Sequence, residues 1–322
     1  MRTLIMGWLA IATGATSLAA ADYPQRPITL VVPYTAGGPA DAIARLITAH
    51  MGGSLGQQFV IENVVGAGGT IGAGRVAKAA ADGYTLLIHN LGLPAAPAFY
   101  KTLPYDTRSA FEPLGLVNTG PMVLVSKKGL AADTPRELWA LLKSKPGALT
   151  MAHAGVGANS HLCGLLLSRA LGTSLTFVAY RGSGPAMNDI LAEQVDLLCD
   201  QSTTAVPQVE GGRIKGFVVT GDEPLETLPS VATVADAGLP SFKMTIWHGL
   251  YAPKGTPAAI VAILNDALQR ALADPGTRER FRQVGTQAFP VEQRTPQAHG
   301  KQLISEIERW AGINEASATN AK

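Results

Sequence analysis

Charge is scarce in this sequence and neither sign dominates. Basic residues number 26 and acidic ones 24, a formal net charge of +2, and charged residues fill only 16% of the 322 positions. No basic run is longer than Lys127-Lys128. Nucleic acids and anionic membrane surfaces recruit clustered Lys and Arg, so neither is expected as a partner. Cysteine is nearly missing: Cys163 and Cys199 stand alone, with no C-x-x-C spacing and no histidine cluster, so no metal or other cofactor is expected. In an oxidising compartment the two could pair, but a chain of this size needs no disulfide, and buried free thiols are the expectation. No repeat with a period of 20–50 residues is visible, which argues against a solenoid or propeller.

Long apolar runs are also missing, with one partial exception at the N-terminus. Met1 and Arg2 begin a short positive segment, and Leu4 to Leu18 form an apolar, then small-residue, stretch. Thr13, Gly14, Thr16 and Ser17 dilute it soon after Ile11, so it falls short of the ~20 residues a membrane span needs. Ala19-Ala20-Ala21 then offers small residues for cleavage. The pattern is that of a signal peptide over residues 1–21, removed near Ala21 on export.

What the rest of the chain holds is ordinary globular composition, 47% hydrophobic, long enough for two domains. Strand and helix patterns alternate, as expected for a mainly parallel sheet covered by helices. Ile28 to Pro33 is a short apolar strand rich in β-branched residues, Tyr34 to Ala40 a glycine-bearing loop, and Asp41 onward an amphipathic helix. A strand-to-helix turn of this kind aims unpaired N–H groups, and the positive end of a helix dipole, at one spot, which makes it a pocket for an anion. The same plan recurs in the second half of the chain. Leu149 to Ala152 is a strand, Ala154 to Ser160 a glycine loop, and His161 to Leu171 a helix capped by Asn159 or Ser160. Asn90 to Ala95, Tyr180 to Ala186 and Gln201 to Thr204 are further loops leaving strands, the ends at which open α/β sheets bind ligands.

Enzyme signatures fail one by one. Ile71 stands where a dinucleotide fingerprint that starts Gly66-x-Gly68 needs glycine. Arg181 takes the first glycine position of a nucleophile elbow around Ser183. Ser160 and His161 are sequence neighbours at a helix start and point apart, so they form no nucleophile–base pair. Catalytic residues are not expected. A serine-dependent hydrolase using Ser160 or Ser183 is the rival class, and it lacks a base. Ser160 can cap a helix or donate to a ligand carboxylate. Tyr34 and Trp247 can stack on a ligand or pack a core or hinge, and Arg181 can pair with a carboxylate or stay solvated.

The loops taken together resemble a known family, the periplasmic solute-binding proteins of tripartite tricarboxylate transporters, also called Bug receptors. The segments that carry the resemblance are YPQRPITLVVPYTAGGPADAIAR, NVVGAGGTIGAGRVAKAAADGYTLL, KTLPYD, GVGANSHLCG, VAYRGSGPAMNDILAEQVDLLCD and WHGLYAPKGTP, in family order across the mature chain. The resemblance implies a two-domain α/β fold of the type II periplasmic-binding-protein kind, with the ligand cleft between domains. Residues 22–121 plus 248–322 would form one domain and 122–247 the other, with hinges near Gly120 and Trp247. It implies a monomer that closes on a small organic carboxylate and passes it to the permease subunits of such a transporter, or reports it to a sensing partner.

By the same resemblance the ligand is held by Tyr34, Thr35, Ala36, Gly37 and Gly38, by Asn90 and Gly92, by Gly157, Asn159, Ser160 and His161, and by Asp200; Arg181 and Trp247 join this set as ligand-binding candidates on their side-chain chemistry. Two departures stand out. Pro39-Ala40 replaces the Gly-Thr usual in the first loop, removing a backbone donor and a hydroxyl, and the loop at Asn90 is more apolar than in relatives. Both favour a ligand with an apolar body, aromatic or dicarboxylic.

Overall fold

The computed structural model describes residues 22–319, with the side chains of 313–319 outside the description. The expected signal peptide therefore lies outside the described residues. Eleven strands form one continuous curled sheet of mixed direction, and ten α-helices cover it among the described residues.

Its first part is built from β1 (Ile28–Val32), β2 (Phe59–Asn63) and β3 (Thr85–Asn90), with β1 parallel to both of its neighbours. Its second part is built from β5 (Thr150–His153), β6 (Thr176–Ala179) and β7 (Leu197–Gln201), also parallel. Two long strands join them, β4 (Phe111–Ser126) and β10 (Thr245–Pro253), antiparallel to each other. Short β8 (Lys215–Val219), β9 (Ala232–Thr233) and β11 (Gln287–Ala288) complete the edges. The mainly parallel sheet expected from the alternating pattern is thus corrected. A chain that crosses from one part to the other and returns supplies two long strands of opposite direction, and these lie at its centre. β4 has no break at Gly120-Pro121. It pairs with β10 through Pro121 and with β7 from Met122 onward, so its neighbours change while its backbone runs on.

The helices follow from local sequence. α1 (Pro39–Leu55) starts with proline at its first position, where the missing N–H costs nothing, and ends at Gly56 in the left-handed conformation. It buries Ile43, Ala44, Ile47 and Met51 along one face, packed with Leu264 and Leu268 of α8 (Ala258–Ala273) against β1 and β3. Pro39 and Ala40 are therefore the first turn of a helix, not part of a loop. α2 (Thr70–Ala77) precedes β3. α3 (Gly92–Phe99) follows β3 almost at once, correcting the loop expected from Asn90 to Ala95: the chain turns into a helix at Gly92, despite Pro94 and Pro97. In the second part α4 (Pro135–Ser144), α5 (Asn159–Leu171), α6 (Ser183–Leu191) and α7 (Ser202–Glu210) flank the strands, with Ile190 and Val206 packed on Val123, Leu198 and Val219. α9 (Pro275–Gln283) and α10 (Pro296–Thr319) close the first part.

Cys163 and Cys199 form a disulfide with their Cα atoms 6.1 Å apart, correcting the expectation of free thiols. Alternating burial alone could not reveal the pairing. α5 lies directly on β7, and the two side chains meet in that contact, both fully buried.

Candidate functional site

Strand ends and helix starts from both parts of the sheet converge on one narrow, partly open cavity, with about 20 Å³ of water-sized space. The first part contributes Tyr34, Pro39, Ala40 and Asn90; the second contributes Ala154, Ala158, Asn159, Ser160, Ser183, Asp200 and Gln201; Met122 lies where β4 changes neighbours. Five helices begin here, at Gly38, Leu91, Ala158, Gly182 and Gln201, and none of these positions carries a side-chain cap. First-turn N–H groups and five positive dipole ends therefore face a common space. Among the described residues no Lys or Arg lines it. The arrangement can bind an anion through backbone donors alone.

Around this space the loops are braced by their own side chains. Ser160 does not cap α5; its Oγ accepts the Ala154 N–H at 2.8 Å and ties the two ends of the loop together. His161 points behind the loop. Its Nδ1 accepts the Gly157 N–H at 3.2 Å, and its ring lies 4.7 Å from that of His153 and 5.4 Å from that of Phe177. Burial, then the neighbouring His153, pushes His161 down to about 4, so it is neutral at pH 7. Asp41 is held inside the first loop: Oδ2 accepts from the Gly37 N–H and Arg45, and Oδ1 from Arg45 and Asn63. Burial raises its pKa, but these four contacts outweigh it and hold the carboxyl below its ordinary range. Its charge is consumed locally, away from the cavity. The Tyr34 hydroxyl lies 3.1 Å from both the Gly68 carbonyl and Asn90 Oδ1, so its ring stands fixed in the wall. Asn90 Oδ1 also takes the Gly92 N–H at 3.0 Å, removing one helix donor from the set.

The inner wall is less well satisfied. Asp200 is fully buried; its Oδ2 accepts from Thr204 Oγ1 at 2.5 Å, while Oδ1 has no hydrogen-bond partner. Burial raises its pKa above the ordinary carboxyl range, partly offset by Thr204, the Ser183 hydroxyl and the Gln201 N–H. Both polar atoms of the Asn159 amide and Gln201 Oε1 are likewise buried and unpartnered. Unpaired buried polar atoms each cost about 1–3 kcal/mol, and such atoms gathered round a cavity mark a place where a ligand completes them.

The two parts of the molecule meet along the rim. Tyr100 donates its hydroxyl hydrogen to the Val156 carbonyl at 2.9 Å, and the Phe99 ring meets His161 edge-on at 5.6 Å. Backbones approach too closely for side chains at two places. A Cβ on Gly68 would lie 2.0 Å from the Val156 carbonyl oxygen, and one on Gly182 would lie 2.3 Å from Thr35 Oγ1.

Of the residues singled out from sequence, Tyr34, Asn90, Asn159, Ser160 and Asp200 line the cavity. Gly38, Gly92 and Gly157 are buried beside it as backbone turns, and Thr35 and His161 are half-buried at its rim. Ala36, Gly37 and Arg181 are exposed outside it. Trp247 is buried in β10 against the His299 ring, 5.8 Å away, and forms no wall of the cavity. Sequence reasoning did not place Met122, Ala154, Ala158, Ser183 or Gln201 in the site. Ser183 and Gln201 were findable, since each stands where a helix begins after a strand; Met122, inside a continuous strand, carried no such mark.

Comparison with known proteins adds to this geometry. The model for the tripartite tricarboxylate transporter family receptor matches residues 43–317. A protein encoded between ttuE and ttuC′ in the TAR-I region of Agrobacterium vitis is 42% identical, over 91% of this chain and 84% of its own. The solved structure of the periplasmic binding protein BugD superposes with a TM-score of 0.89 at 40% identity, covering 92% of this chain and 99% of that one. MatC from Rhodopseudomonas palustris with bound malate gives 0.88 at 41% identity, covering 91% and 100%. The fold is therefore that of the two-domain periplasmic binding proteins.

Proposed function

The chain belongs to the tripartite tricarboxylate transporter receptor family, in the group that includes BugD, and from that membership we propose that it captures a small organic carboxylate and delivers it to a tripartite-type membrane permease. The observation that carries the reading is the cavity itself: five uncapped helix starts, no lining Lys or Arg, and buried polar side chains left without partners. A carboxylate held by N–H groups at helix ends needs no buried cation, which suits a receptor that must also release its cargo. MatC, with its bound malate, is a relative that holds a ligand of this class.

In this proposal residues 22–121 plus 248–322 form one domain and 122–247 the other, joined by β4 and β10. Closure brings Phe99 and Tyr100 onto the loop at Val156–His161 and Thr35 onto Gly182. The protein is exported, its leader removed near Ala21, and acts as a monomer in the periplasm; no helix among the described residues is long and apolar enough to cross a membrane. Binding proceeds without turnover. Ser160 Oγ already accepts a backbone N–H, Ser183 is set against the Asp200 carboxyl, and among the described residues no histidine lines the cavity, so neither serine has an imidazole base.

Titration calorimetry of the mature protein against di-, tri- and aromatic carboxylates tests the assignment. Saturable one-site binding of at least one member is expected, together with a smaller radius of gyration in solution scattering. Absence of heat and of any thermal shift across the whole panel would sink it.

A further inference from the structure

One wall of the cavity mostly accepts hydrogen bonds. Asp200 is the last residue but one of β7, opposite Val123 of β4, and is fully buried; its Oδ1 has no partner. Gln201 Oε1 and Asn159 Oδ1, also buried and unpartnered, line the same cavity. Against these three acceptors the wall's unpartnered side-chain donor is Asn159 Nδ2. Among the described residues no Lys, Arg or His lines the cavity to balance the carboxyl.

Such a wall is poorly matched to a plain carboxylate. The helix starts can take the ligand's anionic group, but a ligand that brings nothing else leaves Asp200 Oδ1 buried without a protein partner, and adds a like charge nearby. A hydroxyl or ammonium group on the ligand removes that penalty. It supplies the hydrogen that Asp200 lacks, while the ligand's carboxylate stays on the backbone donors of α1, α5 and α6. The amides of Asn159 and Gln201 can turn to meet the same group.

We propose that Asp200, with Asn159 and Gln201, selects carboxylates that carry their own hydrogen-bond donor, a hydroxyl or an ammonium, over plain acids of the same carbon skeleton. The proposal rests on the carboxylate reading above and adds the second half of the ligand. Asp200 is a specificity-determining residue in this scheme. Thr204 holds Oδ2, which leaves Oδ1 for the ligand.

Matched trios test it by calorimetry on the mature wild-type protein: succinate, malate and aspartate, then 3-phenylpropionate, phenyllactate and phenylalanine. In at least one trio the hydroxy or amino acid is expected to bind at least tenfold more tightly than the plain acid, and whichever gains identifies the donor. Asp200→Asn should shrink that gap at least tenfold. The asparagine oxygen can still accept from Thr204, so the fold should survive, and the wild-type trios decide the matter even if it does not. Plain acids that bind as tightly as their donor-bearing counterparts would overturn the proposal while leaving the carboxylate reading intact. So would an Asp200→Asn variant that weakens all members of a trio equally. Silence of every member in the wild type would instead remove the carboxylate reading, and this inference with it.

Discussion

At Thr134 and Asp274 a side chain closes the start of a helix, whereas at Gly38, Ala158, Gly182 and Gln201 none does. Thr134 and Glu137 form a full capping box at the start of α4, and the Asp274 carboxylate accepts the Thr277 N–H at 2.7 Å at the start of α9. Both lie away from the cavity. The helices that open onto it carry glycine, alanine, leucine or an uninvolved glutamine at the same position. Caps are not universal elsewhere, since α2 after Gly69 and α8 after Pro257 also lack one. What sets the cavity apart is that no helix beginning there is capped by its own N-cap residue, and only at α3 does a preceding side chain, Asn90, take a first-turn N–H. A side-chain cap is worth about 1 kcal/mol, so leaving it out weakens the cleft and keeps donors for the ligand. Stability is given up where binding happens, and ligand returns it by mass action.

If the cleft helices forgo caps, something else must hold them, and the disulfide is the largest such element. Cys163 lies one turn inside α5 from Asn159, and Cys199 directly precedes Asp200, so the bridge ties together two walls of the cavity. It encloses a loop with a sequence separation of 36 residues, for which chain entropy predicts about 3–4 kcal/mol of stabilisation. Replacing both cysteines by alanine should therefore lower the urea midpoint by that equivalent and weaken ligand binding as well, with thiol titration confirming the pair in the wild type. Unchanged binding in a correctly folded double variant would mean that the bridge supports the fold and not the site.

Next in size is a change at the rim. Gly68 has φ +62° and a carbonyl 2.0 Å from where its Cβ would be, whereas Gly37, at φ +75°, has nothing within 4 Å. Both substitutions to alanine strain the backbone, but Gly68→Ala also obstructs the approach of the two parts. Affinity should fall about a hundredfold in Gly68→Ala, equivalent to ~2.7 kcal/mol, and the ligand-dependent compaction seen by scattering should disappear. Gly37→Ala should lose stability and keep compaction. Equal losses in both variants would show that strain, not contact between the parts, governs binding.

The fold was readable wherever a pattern was local. β1 follows from its β-branched run, and the repeat of strand, glycine loop and helix at 28–50 and 149–171 pointed to two facing walls. Direction was not readable, because the antiparallel pairing of β4 with β10 joins segments more than a hundred residues apart. Site residues were legible where a polar group sits at a helix start, as with Asn159, Ser160 and Asp200. They were not legible where the argument leaned on side-chain type alone. Arg181 read equally as an anion partner or a solvated charge and is exposed, and Trp247 read as a stacking wall or core packing and is buried in the core. The Pro39-Ala40 departure read as a loss of donors from a loop. In place, it is the first turn of α1 and an apolar patch of the cavity wall.

The contrast between capped and uncapped starts can be tested most directly by exchanging them, although the effects are the smallest. Thr134→Ala should cost about 1 kcal/mol of stability and leave affinity unchanged, because its N–H groups face away from the ligand. Ala158 has extended backbone angles, φ −70° and ψ 159°, that a capping serine adopts without strain. Ala158→Ser should raise the unliganded protein's stability by about 0.5–1 kcal/mol, because the new hydroxyl takes a first-turn N–H of α5. The same hydroxyl then competes with the ligand for that N–H, so affinity should fall several-fold while the melting temperature of the apo protein rises. Opposite signs in the two measurements would establish that the missing cap is a binding feature. If serine improved both, the N–H groups of α5 would not be ligand donors, and the wall at Asn159–Ser160 would have to act through its side chains alone.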